Sequence, residues 1–390
     1  MHTRTTDADL AAYRRAFAAE VVSMSGDWFT YVAMSVLAAG ATNGAREPWA
    51  LLSVSASHTL PRWILAPLAG AACDRFDKRS LLGVTQSVRA LIVATMAALA
   101  LRPSTSSIAL IHGLHLARMA LGVFADTASR SALPSLVPDD RLAWAHARSG
   151  VAWSALFCVG VALGGVTVAA VGVAAAFAID ALSYAVAAAL AWSLPPIAPS
   201  IRQDTHTQST IDEAPERRAL AAAIVAKVPA AVVQGALFIA IARYSTRLAS
   251  LGAVVLGALH AARALGAGLG PYAIRQRDRS SPGTLGASVA ALFGALALGA
   301  LTLDTPWWIA FVLLAFVGLG SGASWVHSSA AVIVLAPAHA RGRVAAIELS
   351  TQSIAQLAGS ALACIPFGTP VVLVLAALSI ALLFALSRQR

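Results

Sequence analysis

Apolar runs of about twenty residues, separated by short stretches marked by Pro, Gly and charge, set the pattern of this chain. Crossing a hydrocarbon core of about 30 Å takes about 20 mostly apolar residues in helical conformation. The first six runs, at about 15–40, 49–72, 80–101, 106–128, 149–170 and 174–194, are read as membrane-spanning helices. A second six follow at about 219–241, 249–271, 283–303, 306–335, 344–364 and 368–387. Between the sets lies a stretch rich in Ser, Thr, Gln, Asp, Glu and Arg, which reads as a linker. The predicted class is an all-α membrane protein of twelve transmembrane helices. Its domains are an N-terminal six-helix bundle (1–194), a linker (195–218) and a C-terminal six-helix bundle (219–390).

Composition agrees with the pattern. Of 390 residues, 58% are hydrophobic and 12% charged, against about 25% charged in soluble domains. The net charge of +10 suggests nucleic acid in a soluble protein. Here the bases are scattered singly and in threes between apolar runs, so topology explains them and no nucleic-acid partner is expected. The three cysteines, Cys73, Cys158 and Cys364, lie far apart and have no metal-ligand spacing. His112 and His115 share a helix face without a third ligand, so no metal is expected. No GxxxxGK[ST] loop is present, and no clustered His, Cys or carboxylate constellation points to an enzyme or a cofactor.

Sorting the bases into alternate connections tests the span assignment. Nineteen Lys and Arg fall on the side of the N-terminus and four on the other, Arg46, Arg102, Arg243 and Arg247. Five lie inside spans: Arg62, Arg89, Arg118, Lys227 and Arg263. Both termini and the linker are therefore expected in the cytoplasm. Residues 1–13 lack a basic n-region, so the first span is expected to remain as a transmembrane helix.

A shift of 200 residues lays Gly70 on Gly270, Arg75 on Arg275 and Arg79 on Arg279, which points to two related halves. Asp74 and Asp77 fall on Ile274 and Arg277, so only the first copy alternates acid and base. That copy, Gly70, Asp74, Arg75, Asp77, Lys78 and Arg79, resembles the signature loop after span two of the major facilitator superfamily, with Asp77 in place of the usual second glycine. Its D-R-x-D-[KR]-R form is similar to the branch that holds the enterobactin exporter and macrolide efflux proteins. Gly26-Asp27-Trp28, the run Leu133 to Pro138, Asp180-Ala181-Leu182-Ser183-Tyr184 and Arg341-Gly342-Arg343-Val344 carry the same resemblance. Gly160-Val161-Ala162-Leu163-Gly164-Gly165 matches the antiporter signature of the superfamily except that Val161 replaces its proline.

The resemblance implies two bundles around a central cavity that opens to each side in turn. It also implies a small-molecule substrate, protons as coupling ion, and a bacterial inner membrane. A monomer is expected. Asp27, twelve residues into its predicted span, is the first candidate for proton coupling, and Arg118 is the second. Arg118 with Gly122 resembles the R-x-x-x-G signature of the superfamily; it either exchanges with Asp27 or locks spans one and four. Arg62 and Arg89 snorkel or bind Asp27 or Asp180. Asp180, with Gly160, Gly164 and Gly165, is assigned to helix packing. The loop is read as a gate in which Asp74 meets the start of span eleven near Arg343, and Arg79 meets Asp126. Trp28, Tyr31, Lys227, Gln234, Trp325, Gln352 and Gln356 are candidate cavity residues, with interhelical bonding or interfacial anchoring as the alternative. Lys227 either meets an anionic group or snorkels. The expected activity is export of a small amphiphile, first a siderophore and otherwise a drug such as a macrolide. A non-transporting membrane receptor is the reading of another class.

Overall fold

Backbone in hydrocarbon must satisfy its own N–H and C=O groups, which leaves the helix as the form for an isolated apolar run. The computed structural model describes residues 10–40, 47–102, 104–138, 141–199, 220–221, 224–225, 227–248, 251–274, 284–335 and 341–365. Eleven helices occur among them. They are α1 (Ala11–Gly40), α2 (Glu47–Arg75), α3 (Lys78–Ala100), α4 (Thr105–Leu136), α5 (Leu142–Val171) and α6 (Val173–Trp192). There follow α7 (Val228–Thr246), α8 (Gly252–Ala273), α9 (Thr284–Thr302), α10 (Trp307–Leu335) and α11 (Arg341–Leu362). The predicted twelfth span and the linker beyond residue 199 lie outside the described residues.

Nine of the eleven are long and apolar enough to cross a membrane. The exceptions are α2, which carries Ser53, Ser55, Ser57, Thr59 and Arg62, and α11, which carries Glu348, Gln352 and Gln356. Helices also outrun their apolar cores. The α4 helix continues to Leu136, because its polar last turns meet water without loss of helical bonding. In α7 the break is earlier than the hydropathy suggests: Pro229 has no N–H for the Val225 carbonyl, and the helix begins at Val228. Gly172, at φ 89°, makes the tight junction between α5 and α6.

The chain divides into two compact units, residues 1–37 with 60–203 and residues 38–59 with 204–390. In the first, α3 packs along α6 and α4, and α5 packs against α6. In the second, α10 packs with α8 and α9, and α7 with α11 and α9. Small residues bring the α8 and α10 backbones together: a Cβ on Gly266 or Gly270 would strike the Ala315 or Leu319 carbonyl. Gly70, which the repeat aligns with Gly270, faces open space instead.

Candidate functional site

Four helices of the first unit deliver one charged cluster. Asp27 stands sixteen residues past Ala11, about 24 Å along α1 at 1.5 Å per residue. Its Oδ1 accepts from Arg118 Nη1 at 2.5 Å, from Arg89 Nη2 at 3.2 Å, and from the Tyr184 hydroxyl. No described donor reaches Oδ2, and the side chain is 30% exposed. Arg118 Nη1 also donates to the Tyr184 oxygen at 2.7 Å and to Asp180 Oδ2 at 3.3 Å. Thr30 donates to that same Asp180 oxygen at 2.5 Å.

The sequence dictates this meeting through spacing and size. Asp180 and Tyr184, at i and i+4, share one face of α6. Gly26 lets α1 approach that face, since a Cβ there would overlap Ser183 Oγ and Asp180 Oδ1. Arg89 donates to Gln86 at 3.1 Å, and its guanidinium lies 4.1 Å from the Tyr184 ring centroid. Two cations and two carboxylates balance, which offsets the cost of about 2.5–3.5 kcal/mol that insertion scales give each unpaired charge at mid-span. Asp180, expected as a packing residue, joins α1, α4 and α6 through hydrogen bonds and charge.

An aromatic set adjoins the cluster. The Trp28 ring stacks on Phe157 with centroids 4.3 Å apart, and meets Trp153 and Tyr31 at 5.9 Å each in edge geometry. Gly160 and Gly164 of α5 make room for this: a Cβ on Gly160 would come within 2.8 Å of Trp28 Cβ, and one on Gly164 within 3.3 Å of Phe29 Cα. Gly165 is buried. Trp28 Nε1 is buried without an acceptor, whereas Trp153 is 45% exposed.

The signature loop has other partners than those expected of a gate. Arg79 donates to the Trp192 carbonyl at 2.8 Å, and Asp126 pairs with Arg62 at 3.4 Å, with both side chains about half exposed. Lys78 is buried and donates to the Ala198 carbonyl at 2.7 Å. Asp77 caps α3, accepting from Ser80 N–H and Oγ at 2.9 Å each, and accepts the Ile197 N–H at 2.6 Å. Partial burial opposes the charge on Asp77, but these bonds and the nearby Arg79 outweigh it and hold the carboxyl below its ordinary value. Residues 77–79 thus fasten the segment that leaves α6. Asp74 and Arg75 are exposed, and the Arg343 side chain lies outside the described residues.

The second unit contains a pair that sequence reasoning missed. Lys227, at the N-cap of α7, pairs with Glu348 of α11, and both are buried. Ser329 of α10 accepts from Lys227 at 2.9 Å and donates to Glu348 at 3.1 Å. Lys227 Nζ lies 4.6 Å from the Trp325 ring centroid. Gln352 Oε1 is buried without a donor, and the Gln356 carbonyl lies where a Cβ on Gly235 would fall. Gln234 is partly buried on α7. Glu348 is a lone carboxylate in an apolar run, the signal that would have found it. Tyr184 gave no such signal, because a tyrosine in a span also suits simple packing.

Among the described residues no group of three or more His, Cys, Asp and Glu is arranged to hold a metal. The sequence profile of the Major Facilitator Superfamily matches residues 16–360. An uncharacterized MFS-type transporter, YfiS of Bacillus subtilis (strain 168), is 26% identical over 178 residues, 46% of this chain and 41% of that protein. The aligned part therefore spans about two-fifths of that relative. Among solved structures, a peptide transporter POT in complex with sulfate aligns at a TM-score of 0.73 and 14% identity, covering 96% of this chain and 94% of that one. The inward-open xylose transporter XylE from E. coli aligns at 0.70 and 14% identity, covering 96% and 95%. At these identities the likeness is one of fold.

Proposed function

Because the chain belongs to the Major Facilitator Superfamily, we propose that it is a proton-coupled secondary transporter that exports a small amphiphilic molecule across a bacterial inner membrane. The observation that carries the reading is the asymmetry of Asp27: three donors converge on Oδ1, while Oδ2 is without one in a part-exposed side chain at mid-span. A carboxylate so placed takes up a proton on its open oxygen. Protonation removes the negative charge that balances Arg89 and Arg118, and the freed cations then favour a different helix arrangement. Arg118 is the second coupling residue, because it alone bonds both Asp27 and Asp180.

The antiporter-like glycines support export, since Gly160 and Gly164 set the contact between α5 and the Asp27-bearing helix. Two six-helix halves, cytoplasmic termini and a monomer complete the proposal. A drug-type cargo has more support than a siderophore. Arg118 and Lys227, the cations that would meet siderophore carboxylates, already face resident carboxylates.

The test uses inside-out vesicles with a respiration-driven pH gradient followed by a quenched acridine dye. Adding amphiphiles, macrolides and siderophores in turn is expected to give a fluorescence recovery for at least one of them. The Asp27→Asn protein, inserted at normal level, is expected to lose that recovery. Full recovery with Asp27→Asn would remove Asp27 from the coupling, and none with any compound would favour a receptor.

A further inference from the structure

We infer that the cargo is a cationic amphiphile whose positive group docks on the open oxygen of Asp27 while its flat apolar body lies against Trp28 and Trp153. The inference rests on the transport reading above and adds the substrate class. Four charges make the cluster, and they differ in exposure. Arg118 and Asp180 have no exposed side-chain surface and Arg89 has 6%, whereas Asp27 has 30%. What the cluster offers to a ligand is therefore a carboxylate oxygen. A carboxylate accepts at both oxygens, and only Oδ1 is occupied here. A cation on Oδ2 would have the anion as its nearest neighbour, with both arginines held on the other oxygen. An anion in the same place would meet the carboxylate first and be repelled.

The aromatic set supplies the second, independent observation. Tyr31 follows Asp27 by one helical turn on the same stripe of α1, and its ring meets Trp28, which in turn meets Phe157 and Trp153. Aromatic faces beside a carboxylate attract organic cations, through the ring quadrupole as well as through apolar contact. The half-exposed Trp153 gives that face an edge open to a ligand, and the unpartnered Trp28 Nε1 offers a buried donor for an acceptor on the same molecule.

Since one oxygen serves both ligands, a proton and the cation exclude each other. The charged and titratable groups facing Asp27 are Arg89 of α3, Arg118 of α4, and Asp180 and Tyr184 of α6. From α5 only the rings of Trp153 and Phe157 are present in the set. Binding therefore weakens as pH falls, and exchange of cation for proton follows without a further site.

The experiment measures equilibrium binding of radiolabelled tetraphenylphosphonium to the purified full chain in nanodiscs, with tetraphenylborate as a probe of the same shape and opposite charge. Saturable phosphonium binding is expected, falling by about tenfold over one pH unit on the acid side, as one competing proton requires. Asp27→Asn is expected to abolish it, Trp153→Ala to weaken it at least fivefold, and Trp153→Phe to restore most of it. The Trp153 variants lie outside the ion cluster and keep the test valid if Asp27→Asn folds poorly. Tetraphenylborate binding as tight as that of the phosphonium, or Trp153→Ala binding at the wild-type level, would overturn the inference. Should phosphonium fail to bind while the vesicles show Asp27-dependent proton movement with another compound, the substrate class falls and the transport reading stands. Phosphonium binding without proton movement in the vesicles would do the reverse.

Discussion

Single residues divide into those whose chemistry the sequence exposes and those whose partners only the fold supplies. Asp27 and Arg118 are legible because a charge inside a span is costly and so carries a reason. Asp77 is legible as an oddity, the acid that stands where a glycine is usual, but its work is local: it caps α3 and holds Ile197. Replacing an N-cap carboxylate by alanine costs about 0.5–2 kcal/mol. Asp77→Ala is expected to lower the melting temperature of the purified chain, with the loss constant from pH 5 to 8. The sign follows from the depressed carboxyl. Its stabilising contribution is complete above the unfolded value of about 3.9 and fades only as pH drops through the lower folded value. A wild-type advantage that grew between pH 5 and 8 would contradict this assignment.

Helices were legible in number and order wherever the chain is described, and less so in their ends and polar faces. Apolar periodicity marks where a helix crosses hydrocarbon, whereas helix ends depend on caps and prolines; hence α4 runs on to Leu136 and α7 begins only at Val228. The proline break puts Lys227 at the head of α7, within reach of Glu348 on α11 and Ser329 on α10. That contact was not legible, because Glu348 is separated from Lys227 by four helices' worth of chain. Removing one partner leaves a buried charge without compensation, at a cost of about 3–5 kcal/mol, whereas replacing both by apolar groups is often neutral. Lys227→Met and Glu348→Leu are each expected to destabilise by that amount in denaturant titrations. The double variant is expected to recover most of the loss. A double variant as unstable as the sum of the two would mean that the residues act separately.

At the scale of the whole molecule, the superfamily fold followed from composition, run length and one loop, because a bilayer leaves few ways to bury a backbone. The loop that identified the fold misled about its own contacts. Its bases hold the exit of α6, through Arg79 on Trp192 and Lys78 on Ala198, while Asp126 is met by Arg62. Pairing partners depend on helix rotation, which a sequence motif does not encode. Orientation is a different matter, since it rests on the count of bases by side, nineteen against four. In a background with Cys73, Cys158 and Cys364 replaced, Ser209→Cys in the linker and Ser106→Cys at the start of α4 report opposite sides. A membrane-impermeant maleimide is expected to label the Ser209→Cys protein in inside-out vesicles and the Ser106→Cys protein in right-side-out vesicles. The reverse pattern would invert the topology, and with it the face from which Asp27 draws its proton. Export driven by protons entering from outside would then become import, so this labelling decides the direction of transport as well as the placement of the chain.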